Sequence, residues 1–387
     1  MKTRNIVILG STGSIGENAV LAAKEIPDAV KVVGVAAGTN YARVAEQARE
    51  LGCRFAAVAN PADPEKFADS LPRGCEAMTG SDAMAEIAAD DDVDLVLCAI
   101  VGAASLKPAL AAAKAGKTLA LASKEALVMA GGILMAEARG NGAEIVPVDS
   151  EHSAVAQCLA GRKTEEVSRI ILTASGGPFR DWPLERMEKA TWSDALDHPT
   201  WEMGPKVTVD SATLMNKALE IIEASHLFGL PGGKIDVVIH RQSIVHSMVE
   251  FMDGALLAQM NAPDMRFPIL RAMTWPEILP NSLPALSWSD MSTLTFEPPD
   301  EERFPSLRFA REALITGGAA GTALNAANEV AVERFRKGDI RLTDIWKVVG
   351  ETLDARDWAG NADSLNEIIK ADAEARTHAE RIADNLA

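Results

Sequence analysis

The sequence is poor in cysteine and in long apolar runs, and each absence excludes a class of protein. No two of its four cysteines, Cys53, Cys75, Cys98 and Cys158, form a CxxC pair. A disulfide framework or a zinc site is therefore not expected, and a reducing cytoplasm fits this cysteine usage best. Cys98 lies inside an apolar run and is interpreted as a small core residue. Because no apolar run reaches membrane-spanning length and a strand pattern starts almost at residue 1, we expect no membrane span and no signal or transit peptide.

Positive charge is also scarce. The chain has 38 lysines and arginines against 55 aspartates and glutamates, a formal net charge of -17. Such a surface repels nucleic acid and anionic membranes, so neither is expected as a partner. It would also repel a phosphorylated ligand, so a phosphate site in this chain must concentrate its positive groups or use a metal.

The chain has 387 residues, which is too long for one ordinary core, and two or three domains are expected. In residues 1–149, alanine-rich helical stretches separate short, almost continuously hydrophobic runs, as expected of strands covered on both faces. The runs are Asn5–Leu9, Lys31–Ala36, Phe55–Ala59, Asp94–Ile100, Thr118–Ala122 and Glu144–Val148. This alternation predicts an α/β domain with a Rossmann-like, doubly wound parallel sheet.

After residue 149 the pattern changes to that of an α+β catalytic domain, predicted for residues 150–275. We expect a helix at Ser211–Ala224, strands at Val237–Ile239 and Ile244–Phe251, and a hairpin that turns near Gly254. The proline-rich stretch Pro276–Pro299 predicts a linker, placed at residues 276–304. From Pro305 the pattern is mostly helical and predicts a C-terminal helical bundle over residues 305–387.

A glycine-rich loop follows the first strand directly. The segment Gly10-Ser11-Thr12-Gly13-Ser14-Ile15-Gly16 leads into a helix pattern. Glycines let the backbone approach a pyrophosphate, and a helix N-terminus offers free N–H groups. The spacing G-x-x-G-x-x-G is weak evidence alone, but the strand–loop–helix context favours a dinucleotide site over an ordinary turn.

The end of the second strand discriminates between the two nicotinamide cofactors. An acid there would bind the ribose 2′-hydroxyl of NAD. The chain instead reads Gly38-Thr39-Asn40, with Arg43 nearby, which favours NADPH. The alternative, that Arg43 only solvates a helix face, is equally compatible with the sequence.

Acidic residues stand at the end of the last strand of the first domain, in Asp149-Ser150-Glu151-His152. Ligands of a doubly wound sheet bind beyond the carboxyl ends of its strands, and two carboxylates there suit Mg²⁺ or Mn²⁺. The alternative is that Asp149 or Ser150 merely caps the next helix.

Two segments of the second domain could hold a phosphate. In the first, Ser211 stands at the start of the predicted helix, and Asn216, Lys217 and Glu220 follow on one helix edge. The alternative is a capped surface helix with an internal ion pair. The second, Thr173–Phe179, places Ser175 in a glycine-rich loop after a strand, which suits a phosphate or an ordinary turn.

The stretch Arg180–Lys206 has almost no helical or strand period and contains Trp182, Trp192 and Trp201. A loop of this length favours a lid that closes over substrate, with a disordered loop as the alternative. His246 is a lone histidine in an apolar segment, and such a histidine is usually structural, so by itself it is weak evidence for a functional site.

Taken together, these residues closely resemble one family, the 1-deoxy-D-xylulose 5-phosphate reductoisomerases. Nine segments match in order and span nearly the whole chain. They are GSTGSIG (10–16), SKEALV (123–128), PVDSEHSA (147–154), TASGGPF (173–179), HPTWEMG (198–204), VDSATLMNKALE (209–220), QSIVHSMVEF (242–251), APDMR (262–266) and LNAANEVAV (324–332).

The resemblance implies a cytoplasmic homodimer that converts a small phosphorylated sugar, 1-deoxy-D-xylulose 5-phosphate, to 2-C-methyl-D-erythritol 4-phosphate in isoprenoid precursor synthesis. It implies retro-aldol cleavage and re-addition, followed by hydride transfer from NADPH, with Mg²⁺ or Mn²⁺ (Co²⁺ is also plausible) as the metal.

The resemblance also implies a role for each matching residue. The metal ligands would be Asp149, Glu151 and Glu220, which with Lys124 form the catalytic set. Substrate would meet Ser150, Glu151, Ser175, His198, Trp201, Ser211, Asn216, Lys217 and Glu220, with Lys124 near its hydroxyl-bearing carbons and Met203 in the lid. The cofactor would meet residues 10–16 and Gly38, Thr39, Asn40, Ser123, Lys124, Glu125 and Gly204.

Three positions depart from the family pattern: Ser123, Pro205 and Arg241. None is an implied metal ligand, so they put the kinetics in doubt rather than the identity. Two rival functions remain open. Another NADP-dependent oxidoreductase, such as a semialdehyde dehydrogenase, would need a catalytic cysteine, and the nearest, Cys158, lacks a supporting motif. A non-enzymatic dinucleotide sensor should lack the three carboxylates.

Overall fold

The computed structural model describes residues 2–289, 291–360 and 362–387. These residues form two compact units. The first contains residues up to 126 together with 134–156 and 264–284, and the second contains 127–133, 157–263 and the described residues from 285 onwards.

The first unit is built on a seven-stranded sheet. Its strands are β1 (Arg4–Leu9), β2 (Val30–Ala37), β3 (Phe55–Val58), β4 (Glu76–Thr79), β5 (Leu95–Cys98), β6 (Thr118–Leu121) and β7 (Ile145–Pro147). All neighbours are parallel, in the order β4-β3-β2-β1-β5-β6-β7. The prediction of a Rossmann-like doubly wound sheet is confirmed.

Helices connect these strands, as parallel pairing requires. They are α1 (Ser14–Glu25), α2 (Tyr41–Leu51), α3 (Pro64–Ser70), α4 (Ala83–Ala89), α5 (Leu106–Lys114) and α6 (Glu125–Asn141), and a further helix, α7 (Ser150–Leu159), follows β7. Residues 127–133 of α6 and 157–159 of α7 belong to the second unit. The core between sheet and helices is aliphatic, with Ile6, Ile8, Leu95 and Leu97 fully buried.

Sequence reasoning missed β4. This edge strand has mostly exposed residues and no apolar run, so it lacks the hydrophobic signal that marked the other six. Helix α12 (Arg266–Thr274) also differs from expectation, because the sequence places it in the catalytic range 150–275. In the structure it packs on α1 and belongs to the first unit.

The register of the sheet brings several strand ends into one row. Leu9 pairs with Ala36 and with Cys98, Cys98 pairs with Leu121, and Leu121 pairs with Pro147. The strand order reverses between β1 and β5, and ligands of such sheets bind at this reversal, beyond the carboxyl ends. The glycine loop and the two segments that contain Lys124 and Asp149 therefore begin at the same edge.

The second unit contains a smaller mixed sheet, ordered β11-β10-β8-β9. Its strands are β8 (Val167–Ala174), β9 (Ile235–Ile239), β10 (Val245–Phe251) and β11 (Leu256–Met260). Strands β8 and β9 are parallel, and β10 is antiparallel to β8 and β11. The predicted hairpin is confirmed, with Gly254 in its turn at φ 84°.

The helices of the second unit before the linker are α8 (Leu184–Met187), α9 (Trp192–Leu196), α10 (Pro205–Ala212) and α11 (Met215–Phe228). The single helix predicted at Ser211–Ala224 is wrong, because two helices meet there. Leu214 adopts the left-handed conformation, φ 57°, and this ends one helix and starts the next.

The predicted C-terminal helices are present as α13 (Ser306–Thr316), α14 (Ala320–Lys337), α15 (Asp344–Asp354) and α16 (Leu365–Leu386). The described part of the predicted linker pairs with a strand only through a bridge from Glu297 to Ile239. Within the described residues, no helix combines the length and the apolar character that crossing a membrane requires.

Candidate active site

The glycine loop of the first unit has the geometry of a dinucleotide loop. Gly10 has φ 82°, and a Cβ there would lie 2.4 Å from the Ala99 carbonyl oxygen; a Cβ at Gly16 would lie 2.2 Å from that of Gly10. Gly13 caps α1 without a side-chain hydrogen bond and is exposed. The outer two glycines thus permit close packing, and the middle one leaves the helix N-terminus open to an anion.

Other predicted cofactor residues lie at the same edge. The amides of Gly10 and Ser11 both donate to the Ala36 carbonyl at 2.8 Å, which fixes the glycine loop beside the end of β2. Gly38, Thr39 and Asn40 follow β2 and are exposed. In the glycine loop Ser11 is buried, Thr12 and Ile15 are half-buried, and Ser14 is exposed.

Arg43 has partners within the protein. Its guanidinium donates to both carboxylate oxygens of Glu17, at 2.7 and 2.8 Å, and also meets Glu46 and Glu50. Hydrogen bonds with Glu17 and Glu46 raise the pKa of Arg43 further above its usual value. The structure thus favours the second interpretation of Arg43, as a residue that neutralises acids on α1 and α2.

One of the strand-end acids, Asp149, contacts an ammonium group. Lys124 Nζ donates to Asp149 Oδ2 at 2.8 Å, and both side chains are largely buried. Asp149 Oδ1 accepts from the Glu151 amide at 3.3 Å and lies 3.3 Å from His152 Nδ1. Asp149 therefore does cap α7, the alternative left open by the sequence, while its carboxylate still meets a cation.

The neighbours of these two residues are also placed. The Ser150 hydroxyl donates to the Glu151 carboxylate. Ser123 and Glu125, on either side of Lys124, are buried, and the Ser123 hydroxyl lies 3.8 Å from Cys98 Sγ. Within the first unit, Lys124, Asp149, Ser150 and Glu151 thus form one polar cluster.

In the second unit, the loop after β8 forms a hydroxyl-lined cradle. Ser175 Oγ lies 2.9 Å from His198 Nε2 and accepts from the Gly177 amide at 3.2 Å. Gly177 has φ 67°, and a Cβ there would lie 2.6 Å from the Ser211 carbonyl oxygen. Sequence reasoning did not assign Gly177, whose small size lets the Ser175 loop approach Ser211.

The hydrogen bonds of His198 define its tautomer. Nδ1 accepts from the amides of Thr200 and Trp201, at 3.2 and 2.8 Å, so the proton is on Nε2 and is donated to Ser175. Burial lowers the pKa of His198 to about 4, so the ring is neutral at neutral pH. Because Ser175 Oγ accepts from two donors, its own proton can be donated to an anion.

Ser211 does not start a helix, contrary to the sequence prediction. It lies in the last turn of α10, and the helix N-terminus belongs to α11, where Asn216 and Lys217 stand. The favourable dipole end therefore lies beside these two residues instead. The physical reason is the left-handed residue Leu214, which local helical periodicity could not reveal.

Glu220 is enclosed by partners from its own helix. Its carboxylate accepts from Asn216 Nδ2 at 2.5 Å and from Lys217 Nζ at 2.5 Å. Both Lys217 and Glu220 are almost fully buried. The helix-edge amide, ammonium and carboxylate proposed from the sequence are thus in contact.

The predicted lid is shorter than expected. Helices α8 and α9 occupy part of Arg180–Lys206, and Trp182 packs on Phe179 while Trp192 packs on Phe335. Residues 197–204 form no helix or strand and contain His198, Trp201, Met203 and Gly204. The interpretation of all three tryptophans as lid residues is therefore wrong for Trp182 and Trp192.

His246 lies close to Trp201, which sequence reasoning did not predict. It is buried on β10, burial lowers its pKa to about 4, and its ring centroid lies 6.2 Å from that of Trp201. A neutral histidine therefore lies beside the aromatic side chain of Trp201. A lone histidine in an apolar strand gave no sequence signal for this.

Comparisons with known proteins agree with this geometry. Family models described as 1-deoxy-D-xylulose 5-phosphate reductoisomerase match residues 6–131, as its C-terminal domain residues 145–228, and as the DXP reductoisomerase C-terminal domain residues 260–378. A protein of that name from Pelotomaculum thermopropionicum is 49% identical, with 99% of each chain covered. One from Rhodospirillum centenum is 50% identical, covering 97% of this chain and 93% of the relative.

Solved structures extend the likeness to three dimensions. The Zymomonas mobilis reductoisomerase in complex with NADPH is 40% identical, has a TM-score of 0.93, and covers 99% of this chain and 100% of its own. A second reductoisomerase, in complex with NADPH, fosmidomycin and magnesium, is 37% identical with a TM-score of 0.93 and 99% of each chain covered. With a dinucleotide loop, paired acids and a hydroxyl-lined cradle in its structure, the chain belongs to the 1-deoxy-D-xylulose 5-phosphate reductoisomerase family.

Proposed function

We propose that this chain converts 1-deoxy-D-xylulose 5-phosphate to 2-C-methyl-D-erythritol 4-phosphate, with NADPH and a divalent cation. The observation that carries the proposal is a buried acid–ammonium pair in each unit, at positions that the family motifs assign to catalysis and substrate binding. These pairs are Lys124–Asp149 and Lys217–Glu220. An acidic protein that handles a sugar phosphate needs such concentrated cationic groups.

We propose Asp149, Glu151 and Glu220 as the ligands of one dication. Their carboxylate oxygens suit Mg²⁺ or Mn²⁺, and Co²⁺ is a further candidate. Asp149 and Glu220 each accept a hydrogen bond from a buried ammonium group. Both carboxylates therefore already face positive charge, which supports their assignment as ligands of a cation. When bound, the metal would supply Lewis acidity to the substrate ketone and a template for the retro-aldol fragments.

We propose that the phosphate meets Ser175, His198, Ser211, Asn216 and Lys217. His198 donates its Nε2 proton to Ser175, so the Ser175 hydroxyl can donate its own proton to an anion. Lys217 contributes the positive charge and Asn216 an amide. These residues fix one end of the substrate, so the reacting carbons are held in place during cleavage and re-addition.

At the reacting carbons, we propose that Ser150 and Lys124 contact the substrate hydroxyl groups. Trp201 and Met203 close over the carbon skeleton and exclude water. The proposed NADPH contacts are residues 10–16 and 38–40 with Ser123, Lys124, Glu125 and Gly204, and NADPH supplies the hydride. The preference for NADPH over NADH is supported by the missing acid after β2.

We further propose that the enzyme works in the cytoplasm as a homodimer. The alternative hypothesis, a semialdehyde dehydrogenase, requires a nucleophilic cysteine, and Cys158 was the candidate. Cys158 is buried, burial raises its thiol pKa, and its Sγ faces the Leu257 carbonyl oxygen at 3.8 Å. A nucleophilic cysteine needs the opposite environment.

The direct test is NADPH oxidation by the purified protein with 1-deoxy-D-xylulose 5-phosphate. We expect turnover with Mg²⁺ or Mn²⁺, none after chelation, recovery on adding metal back, and a lower kcat/KM with NADH. The product should be identified as the branched tetritol phosphate. Turnover that survives chelation would refute the metal site, and no NADPH oxidation in the metal-loaded protein would refute the function.

A further inference from the structure

The break between α10 and α11 is the least expected feature of the second unit. The local sequence has the periodicity of one continuous helix, yet the chain turns at Thr213 and Leu214. Leu214 has φ 57° and a buried side chain. The left-handed conformation is unfavourable for leucine, and such strain persists only where tertiary contacts hold it.

These contacts come from the helices that follow residue 305. A helix end leaves carbonyl groups without intrahelical partners, and Thr213 is such an end. Its carbonyl oxygen accepts from the Ser306 hydroxyl at 2.9 Å and from the indole N–H of Trp346 at 3.2 Å. The same indole N–H lies 3.0 Å from Ser306 Oγ, so the three groups form one closed network. Thr213, Ser306 and Trp346 are all buried.

A second anchor acts on the other side of Ser211. Asp210 is buried, and its carboxylate accepts from Asn328 Nδ2 of α14 at 2.8 Å and from Lys206 Nζ at 2.7 Å. The helices α13, α14 and α15 therefore each contribute a donor to residues 210–213. Ser211 lies between the two anchored residues, and Asn216 and Lys217 follow the break.

We propose that Ser306, Asn328 and Trp346 are positioning residues that hold this break open, so that Ser211 on one helix and Asn216 and Lys217 on the next face a single phosphate. The inference rests on the proposed phosphate site and assigns a role in substrate binding to the C-terminal helices. Without these hydrogen bonds to residues 210–213, Leu214 is no longer held in the left-handed conformation. The chain between α10 and α11 then relaxes toward one continuous helix. Asn216 and Lys217 then rotate away from Ser211.

The test uses a double variant, Trp346→Phe with Ser306→Ala, and a matched control, Trp358→Phe. Trp358 is equally buried in the same region and donates to the Thr352 carbonyl at 3.1 Å, away from the break. Losing both donors to Thr213 should raise KM for the phosphorylated substrate, and the Kd for inorganic phosphate, roughly five- to tenfold. The control should change both less than twofold, although both variants lower Tm.

Two further measurements separate positioning from general destabilisation. In a Lys217→Ala background the double variant should have a much smaller effect on phosphate affinity, because the displaced group is already absent. Asn328→Ala, which approaches from the other side, should raise the same Kd. Unchanged phosphate affinity in the double variant, or an equal rise in the control, would overturn the inference. A wild-type protein that neither turns over nor binds phosphate would instead refute the proposed function.

Discussion

The two units contain different kinds of proposed phosphate site. In the first, the glycine loop offers main-chain N–H groups at a helix N-terminus, and Arg43 is paired with Glu17. In the second, the proposed contacts are side chains: the Ser175 hydroxyl that is bonded to the His198 imidazole, the Asn216 amide and the buried Lys217 ammonium. The first site is a property of backbone shape, whereas the second depends on side chains brought together from several elements.

This difference determines how each site can fail. A backbone site tolerates side-chain changes but not an added methyl group where two segments touch. A side-chain site tolerates small shifts of shape but loses charge or hydrogen bonds with one substitution. It also depends on residues far along the chain, such as those that anchor Thr213. The expected effects of substitution follow this division.

The largest effect is expected at the proposed metal ligands. Asp149→Asn, Glu151→Gln and Glu220→Gln should each remove several kcal/mol of transition-state stabilisation, a loss of kcat/KM on the order of 10³-fold. Thermal unfolding should show that the fold is kept. Asp236→Asn, which removes a half-exposed partner of Arg169, is the control and should turn over normally. Normal turnover of all three variants at limiting Mg²⁺ would show that the ligands are misassigned.

The sequence predicted the local structure of the first site more completely than that of the second. Strand position and glycine spacing were enough for the first unit, because its loop depends on local geometry around Gly10 and Gly16. In the second unit the sequence identified Ser175, Asn216, Lys217 and Glu220 but placed Ser211 wrongly. The segment around Leu214 accepts hydrogen bonds from Ser306, Asn328 and Trp346, which lie 93 or more residues further along the chain than their acceptors. Local periodicity contains no information about such contacts.

Lys217 should show the next largest effect. Lys217→Ala removes a charge-assisted contact worth about 1.5–3 kcal/mol, so KM for the phosphorylated substrate should rise roughly ten- to a hundredfold. Lys234→Ala, which removes a lysine that donates to the Val167 carbonyl oxygen, is the matched control. The KM for a dephosphorylated analogue should not change in Lys217→Ala. Equal losses on both substrates would mean that Lys217 acts on the reacting centre or holds Glu220.

In the first unit, adding one methyl group should break the backbone site. At Gly16 a Cβ would overlap the Gly10 carbonyl oxygen, whereas at Gly13 the nearest atom is 3.4 Å away. Gly16→Ala should therefore weaken NADPH binding about tenfold or more and lower Tm, since backbone must shift. Gly13→Ala should leave Tm nearly unchanged. Tight NADPH binding by Gly16→Ala, measured by fluorescence titration, would contradict this account of the loop.

The proposed lid can be tested by comparing two tryptophans. Trp201 lies in the irregular residues 197–204, while Trp192 starts α9 and packs on Phe335. We expect a substrate analogue to slow hydrogen exchange in residues 197–204 but not in α9. Trp201→Ala should lower kcat and raise KM, because the closed state is lost, whereas Trp192→Ala should mainly lower Tm. Identical exchange with and without saturating analogue would exclude the lid.

The smallest effect is expected at His198, a neutral donor. His198→Gln should raise KM roughly three- to tenfold, the value of one neutral hydrogen bond. It should not change the shape of the pH–rate profile, because burial lowers the pKa of His198 to about 4. An inflection near pH 6.5 that disappears in the variant would show that the ring titrates during catalysis.

The same pKa shift predicts how stability depends on pH. The ordinary histidine pKa of 6.5 applies to the unfolded chain, which therefore takes up a proton first as the pH falls. Stability that His198 contributes above pH 6.5 is lost as the pH falls towards 4. His246, with its pKa also lowered to about 4 by burial, adds a loss of the same sign. Urea unfolding at pH 7 and pH 5 should show a smaller acid-induced loss in His198→Gln than in the wild type. An equal loss in the two proteins would mean that His198 is not held neutral by the fold.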